Sequence, residues 1–275
     1  MTQPDRTAEE RGEIFRALHA APDILVLPNA WDVTSAMLLE QAGFPAVATT
    51  SAGIGYTFGY PVGQKMPRTD MLHILSRITA RIGCPLSADM EAGYGDTPEE
   101  VAETVRLTWQ AGAIGINLED RTYDPGAPLI DISAAVARIA AAREAAPSMF
   151  INARTDGYFM GGSGPAVFAD TVHRATLFRQ AGADCVFVPG AKDPETIRRL
   201  AAEIDAPLNI MAGAGYPDVA TLASFGVRRV TVGASMARAA YATLVQAAAE
   251  LKSSGTYGFT DDGASHSALN AVLSP

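Results

Sequence analysis

The sequence predicts an α/β protein, a parallel eight-stranded (β/α)8 TIM barrel. Three observations predict it. Short apolar or β-branched runs alternate with amphipathic helical patterns eight times, and that alternation implies a parallel sheet. Eight units imply closure into a barrel, because a doubly wound sheet usually has fewer strands. The 275 residues are 48% hydrophobic, which suits one barrel of ordinary length. No linker-like stretch divides them, so residues 1–275 read as a single domain.

An amphipathic pattern over Asp5–Ala20 comes first, an extra helix (residues 5–20) that would cover the N-terminal face of the barrel. The first strand is expected at Ile24–Leu27, and Asp32 offers an N-cap for a helix over Val33–Ala42. Ala46–Thr50 is the second strand and Thr69–Ile82 the next helix. Pro85–Asp89 leads to Pro98–Ala111, which opens on the capping signal "TPEE", with Asp96 as the expected cap. Gly115–Glu119 leads to Ile132–Ala146, opened by "DISAA". Met149–Ala153 leads to Pro165–Ala181, and Asp184–Val188 to Pro194–Ile204, opened by "DPET". Pro207–Met211 precedes Pro217–Ser224, and Arg228–Val232 precedes Ser235–Leu251. Gly43, Gly112, Gly182 and Gly226 stand where helices should stop, since glycine takes the left-handed backbone of a C-terminal cap. The tail, residues 253–275, is a Gly/Ser-rich turn and an apolar-polar segment that could pack on the barrel or on a neighbouring subunit.

Charge and composition exclude some functions. A net charge of −9 argues against a general nucleic-acid binder and against an anionic membrane surface. No run approaches the ~18–20 apolar residues of a spanning helix, and the polar N-terminus lacks a secretory pattern. Cys84 and Cys185 have neither metal nor disulfide spacing, so the cytoplasm is the expected compartment.

In such barrels the chemistry sits at the C-terminal strand ends. Strand three ends in "SADMEAGYGD", strand four in "NLED" and strand five in "NARTD". Strand side chains alternate with period two. Asp89 therefore points with Glu91, Asn117 with Glu119, and Asn152 with Arg154. Any one of these acids could merely cap a helix or pair with a neighbour. Three carboxylates on adjacent strands would repel one another, and a hard divalent cation relieves this. Mg2+ takes one or two direct carboxylates plus waters. Arg154 suits a clamp for a substrate carboxylate. Tyr56, Tyr94 and Tyr123 are expected on strand-end loops, where a phenol either packs or donates to an oxyanion. The glycines of "MAGAG" and "VGAS" lie where some barrels bind phosphate, but tight turns are the preferred reading. His19, His73 and His173 fall on expected helices as packing residues, and His266 lies in the tail.

Four stretches carry a resemblance: "LPNAWDVTSAMLLEQAGFPAVATTSAGIGYTFGYP", "SADMEAGYGD", "GINLED" and "INARTDGYF". Together they resemble the isocitrate lyase/phosphoenolpyruvate mutase superfamily, from about Leu25 to Phe259. The resemblance implies a Mg2+-dependent barrel, with Mn2+ as the alternative ion, that makes or breaks a C–C or P–C bond beside a pyruvate-like unit through an enolpyruvate. It implies Asp89 as the direct metal ligand, Glu91 and Glu119 as ligands mostly through water, and Arg154 as the substrate holder. Thr49, Thr50 and Ser51 match the backbone that receives the pyruvyl group, with Asn117 and Asn152 as further substrate contacts. It implies a homo-oligomer, a dimer or tetramer, with the last helix exchanged between subunits.

Two departures stand out. Val62 in "GYPVG" replaces a common acidic residue. The loop "DRTYDPGAPLID" lacks the cysteine of the "KKCGH"-like or "KRCGH"-like lyase loop and the mutase-like Lys and Asn. Water or Tyr123 could then protonate the enolate, and Tyr123, Glu119 and Arg154 are the expected catalytic residues. The expected activity is a Mg2+-dependent lyase acting on a small 2-oxo or 2-hydroxy acid, either an oxaloacetate-like acid or a phosphonopyruvate-type one. A metal-dependent 2-oxo acid aldolase or hydroxymethyltransferase is the first alternative. An inactive small-acid-binding barrel is the second.

Overall fold

The computed structural model describes residues 6–124, 126, 129–261 and 263–274. Asp5, the first residue of the expected covering helix, lies outside them, as do Pro125, Ala127 and Pro128 of the loop that lacks the thiol. The fold is α/β, with nine strands and eleven helices among the described residues. The strands are β1 (Leu25–Val26), β2 (Asn29–Ala30), β3 (Val47–Thr49), β4 (Leu86–Asp89), β5 (Gly115–Glu119), β6 (Phe150–Arg154), β7 (Cys185–Phe187), β8 (Leu208–Met211) and β9 (Arg229–Thr231). The helices are α1 (Ala8–Ala20), α2 (Val33–Gln41), α3 (Ser51–Thr57), α4 (Arg68–Thr79), α5 (Pro98–Gln110) and α6 (Ile132–Ala145), then α7 (Gly164–Gln180), α8 (Pro194–Glu203), α9 (Val219–Ser224), α10 (Ser235–Ser254) and α11 (His266–Leu273).

All strand pairs are parallel, in the order β1-β9-β8-β7-β6-β5-β4-β3-β2. The curled sheet is consistent with a TIM-like barrel. The expected count of eight becomes nine because the first strand is divided and runs on to Ala30. Leu27 and Pro28 separate β1, which pairs with β9, from β2, which pairs with β3. Proline has no N–H to give a ladder, but its carbonyl accepts from Ala48 N at 2.8 Å. Asn29 stitches the same place: its Nδ2 donates to Thr49 O at 2.8 Å and its Oδ1 accepts from Val232 N at 2.9 Å.

Most boundary signals act as expected. Asp32, Asp131 and Asp193 each accept the N–H groups of a first helical turn, and Gly43, Gly112, Gly182 and Gly226 have φ between 89° and 112°. At α5 the cap is Thr97 in a reciprocal capping box with Glu100, not Asp96. Asp96 contributes its backbone N–H to Glu100 Oε2. One helix escaped the sequence pattern. The heptapeptide "SAGIGYT" forms α3, too short and too rich in glycine to show a period, so Tyr56 sits on a helix.

The N-terminal face is filled by α1. Phe15 is fully buried against Leu27, Ala48, Ile114 and Phe150. His19 stacks on Phe150 with ring centres 4.0 Å apart. Gly115 makes room, since a Cβ there would come within 2.8 Å of the Phe15 ring. With that end plugged, the opposite strand ends are left for a site. No helix among the described residues is long and apolar enough to cross a membrane. The last helix, α11, packs on α2 of the same chain, and Leu273 O accepts from Arg81 Nη2 at 2.6 Å.

Candidate active site

Register brings the acidic strand ends together. Asp89 pairs with Asn117, Asn117 with Asn152, and Glu119 with Arg154. Above them lies a cavity of about 290 Å³ at the C-terminal strand ends, lined by Asp89, Glu91, Glu119 and Arg154. Thr50, Ser51 and Tyr123 complete the expected set in that lining. Thr49, Asn117 and Asn152 are not in it. Asn152 Nδ2 donates to Asn117 Oδ1 at 2.8 Å inside the barrel, one layer down. Thr49 Oγ1 accepts from Asp89 N at 2.9 Å and so fixes the backbone beneath the carboxylate.

Asp89 is buried and unevenly satisfied. Its Oδ2 accepts from Ser51 N at 3.0 Å and Ser51 Oγ at 2.8 Å. Its Oδ1 is buried with no hydrogen-bond partner. A buried carboxylate oxygen left bare is costly, and a cation satisfies it. Glu91 and Glu119 are already engaged. Gln64 N and the Tyr123 hydroxyl both reach Glu91 Oε2, at 2.8 and 2.7 Å. The same hydroxyl bonds Glu119 Oε1, and Arg154 Nη1 lies 2.9 Å from Glu119 Oε2. Accordingly, no three His, Cys, Asp or Glu side chains among the described residues converge on one metal position. A donor set with one free carboxylate oxygen and two neighbouring acids fits Mg2+, which keeps several waters.

The phenol is the hinge of this arrangement. It owns one hydrogen and touches two carboxylates, so the trio must share protons. Burial pushes Glu119 up to about 8, with Asp156 and Asp89 adding to the rise and Arg154 opposing it. Burial also raises Glu91, and the Tyr123 hydroxyl opposes that rise. Tyr123 itself is pushed well above the usual phenol range, by burial first and then by the charges of Glu119 and Glu91. The phenol therefore stays protonated at neutral pH. Backbone strain marks the same spot. Gln64, Glu91, Tyr94 and Tyr123 are the non-glycine residues with positive φ among the described residues, at 51–63°. All four join one hydrogen-bonded patch, since Tyr94 N donates to Gln64 Oε1. Such outliers persist where the surroundings hold them, often at functional sites.

Arg154 is held from below by a residue whose role the sequence reading left unassigned. Asp156 accepts from Nε at 2.5 Å and from Nη2 at 2.9 Å. Its spacing of two from Arg154 in "NARTD" was the available signal. Burial alone would lower Arg154, but Glu119 and Asp156 outweigh it and raise it further. Asp120, next to Glu119, faces away from the cavity. It accepts from Asp156 N and pairs with Arg174. Two further arginines reach the lining: Arg121 of the loop after Glu119, stacked over Tyr123 at 4.8 Å, and Arg238 on α10, which the sequence did not single out. Val62 is 53% exposed in the lining and brings no carboxylate.

Residues 15–252 match the family model described as phosphoenolpyruvate phosphomutase. The chain belongs to that family. It is 31% identical over 206 residues to a 2-methylisocitrate lyase of Aeropyrum pernix, covering 73% of this chain and 65% of that one. Among solved structures, a Burkholderia cenocepacia protein aligns at 38% identity with a TM-score of 0.92, over 98% of this chain and 97% of that one. A 2,3-dimethylmalate lyase aligns at 27% identity and TM-score 0.85, over 98% and 96%. An oxaloacetate acetylhydrolase solved with its product oxalate aligns at 25% identity and TM-score 0.86, over 96% and 94%. The family member described here is thus an enzyme among lyases and mutases of the phosphoenolpyruvate mutase/isocitrate lyase superfamily.

Proposed function

We propose that this enzyme is a Mg2+-dependent lyase that cleaves a bond beside the pyruvate-like unit of a small 2-oxo or 2-hydroxy carboxylic acid, through an enolate. Oxaloacetate-like decarboxylation or cleavage is the form the site favours. Phosphonopyruvate-type chemistry belongs to the same reading. The observation that carries it is the bare, buried Oδ1 of Asp89 in the lining that also holds the Tyr123 phenol between two carboxylates.

Asp89 would hold Mg2+ (or Mn2+) directly, with Glu91 and Glu119 acting through water. When bound, the ion supplies electrophilic stabilisation of charge developing on a substrate oxygen. The rest falls to the chain. Arg154 has five N–H groups; two of them go to Asp156, and Nη1 forms an ion pair with Glu119. The remaining N–H groups on Nη1 and Nη2 orient a substrate carboxylate. Thr50 and Ser51 wall the near side of the pocket. Tyr123 gives its proton to the carbon released by cleavage, and the neighbouring Glu119, whose carboxyl is raised by burial, restores it. General acids of this kind contribute roughly 10²–10⁴-fold. Relatives that act on oxaloacetate and 2,3-dimethylmalate support the substrate class.

The decisive experiment is a turnover screen with Mg2+ and with chelator, using oxaloacetate, substituted malates, methylisocitrate and phosphonopyruvate. Absence of metal-dependent turnover on all of them would sink the reading.

We also read the sheet as a closed eight-stranded barrel in one domain, with β1 and β2 as halves of one strand. A cytoplasmic homo-oligomer completes the proposal. The twenty-residue α10 buries only Ala237 and leaves Leu244, Val245 and Leu251 exposed, which favours a second copy against it. Exchange of α11 between subunits would trade its contact with α2 for the equivalent one across the interface.

A further inference from the structure

We propose that a second chamber beside the main pocket receives the distal arm of the substrate, and that Lys192 recognises a carboxylate there. The inference rests on the reading of the main pocket as the seat of a 2-oxo or 2-hydroxy acid head.

The chamber, about 490 Å³, lies among the loops that follow β6, β7 and β8. Phe159, Met211 and Ser235 line both it and the main pocket. The two spaces therefore adjoin at these three side chains. Glycine makes the space. At Gly190 (φ +88°) a Cβ would come within 2.6 Å of Phe159 N, so the loops after β6 and β7 meet backbone to backbone. At Gly213 the nearest atom to an added Cβ is Ser235 Oγ at 4.0 Å, which leaves the interior open.

Charge gives the chamber its selectivity. Lys192 is the one ionised residue among its described lining, which contains no acid. No carboxylate pairs with Lys192 among the described residues. The adjacent Asp193 is occupied in capping α8 through Thr196. Lys192 Nζ stands 5.7 Å from the centre of the Tyr216 ring. Tyr216 is itself held by its backbone, its N–H donated to Gly213 O at 3.1 Å. A cation poised over an aromatic face, next to Phe159 and Met211, suits a carboxylate on a short apolar arm. The late strands of such barrels are a general place for anions. The main pocket then selects the reacting head, and the chamber selects what hangs from it.

The test is calorimetric titration of the full chain with Mg2+, in wild type, Lys192→Met and Gly213→Leu. The probes are oxalate, which fills the head position only, and 4-(oxalylamino)butanoate with its terminal amide as the uncharged control. Lys192 is exposed, so its replacement leaves the fold intact. Oxalate is expected to bind all three proteins equally. The acid should bind wild type about three- to tenfold tighter than its amide, the size of a well-formed charge-assisted contact. That preference should vanish in Lys192→Met. Gly213→Leu, by filling the chamber, should weaken both long probes and spare oxalate. Equal binding of acid and amide by wild type, or a preference that survives in Lys192→Met, overturns the chamber. Failure of oxalate to bind wild type overturns the head-site reading instead, and the chamber falls with it.

Discussion

Arg154 and Asp156 meet in a two-point ion pair, Nε to Oδ1 at 2.5 Å and Nη2 to Oδ2 at 2.9 Å, with Asp156 fully buried. The pair fixes the plane of the guanidinium. Asp156 is fixed in turn, because its N–H is held by Asp120, which pairs with Arg174. What reaches the cavity is therefore a preoriented edge of Arg154 and not a mobile cation, and preorientation saves ordering entropy at the reacting centre.

Removing one member of a buried pair leaves the other uncompensated, at a cost of about 3–5 kcal/mol. Asp156→Ala should lose about that much in denaturant unfolding. Arg154→Lys keeps charge but loses the fork, and should lower kcat/KM at least about tenfold while unfolding nearly as wild type does. If Asp156→Ala leaves both stability and KM untouched, the pair does not position Arg154.

Tyr123→Phe keeps the ring and removes the shared hydrogen. Turnover is expected to fall roughly 10²–10⁴-fold with little change in oxalate affinity. The rate of the wild-type enzyme should also decline on the alkaline side as Glu119, raised to about 8, loses its proton. A Tyr123→Phe enzyme with normal kcat would remove the phenol from the chemistry.

Asp89→Asn replaces the bare anionic oxygen by a neutral one. It should abolish turnover and weaken Mg2+ binding by at least about tenfold, read by calorimetry, with the circular dichroism spectrum unchanged. Glu91→Gln and Glu119→Gln should weaken binding less, because Tyr123 and, respectively, Gln64 or Arg154 already hold those carboxylates. Unaltered Mg2+ affinity in Asp89→Asn would put the metal elsewhere.

What was legible in the sequence followed from local rules. Period-two alternation gave the common facing of Asp89 with Glu91, of Asn117 with Glu119 and of Asn152 with Arg154, and Asp89, Glu91, Glu119 and Arg154 line the cavity. The same rule placed Asn117 and Asn152 on that face but could not say how deep each residue sits. Depth depends on register between strands, and it sets the two asparagines against each other inside the barrel. The helix α3 was invisible because seven residues with two glycines carry no amphipathic period. The strain at Glu91 and Tyr123 was hidden too, since positive φ in a non-glycine residue arises from tertiary contacts and leaves no composition signal.

Stability should respond to pH at both ends. Burial, then the charge of Arg229, lowers His19 from 6.5 to about 3. Between those values the unfolded chain binds more protons than the folded one, so stability falls as pH drops through that window. Glu119 works in the opposite sense. Its rise from 4.5 to about 8 means that the folded chain keeps a proton the unfolded chain releases, and stability falls as pH rises between those values. Asp120, pushed up to about 6 by burial, adds to that slope at its lower end. Melting temperatures of metal-free protein should therefore form a peak and decline on both sides. His19→Phe, which can keep the stack on Phe150, should flatten the acid side alone. An acid side unchanged in that variant would assign the loss to other groups.

The absence of a thiol from the cavity leads to the last prediction. Cys84 and Cys185 are both free, and neither lines the main pocket. Cys185 is fully buried on β7, and burial pushes its thiol up to about 12. Burial, then the charge of Glu40, raises Cys84 well above the ordinary range, and its N–H is tied to Glu40 Oε1 at 2.7 Å. The thiolate is the reactive form, so both cysteines should resist alkylation at neutral pH. Iodoacetamide should leave turnover intact, and Cys84→Ser should behave as wild type. With Tyr123 in place of a thiol acid, the enzyme should be poor on isocitrate and methylisocitrate. Oxaloacetate-like acids, whose enolate a phenol or water can protonate, should be the better substrates. Rapid inactivation by iodoacetamide, slowed by substrate and traced to Cys84 or Cys185, would refute the phenol mechanism and reinstate a thiol one.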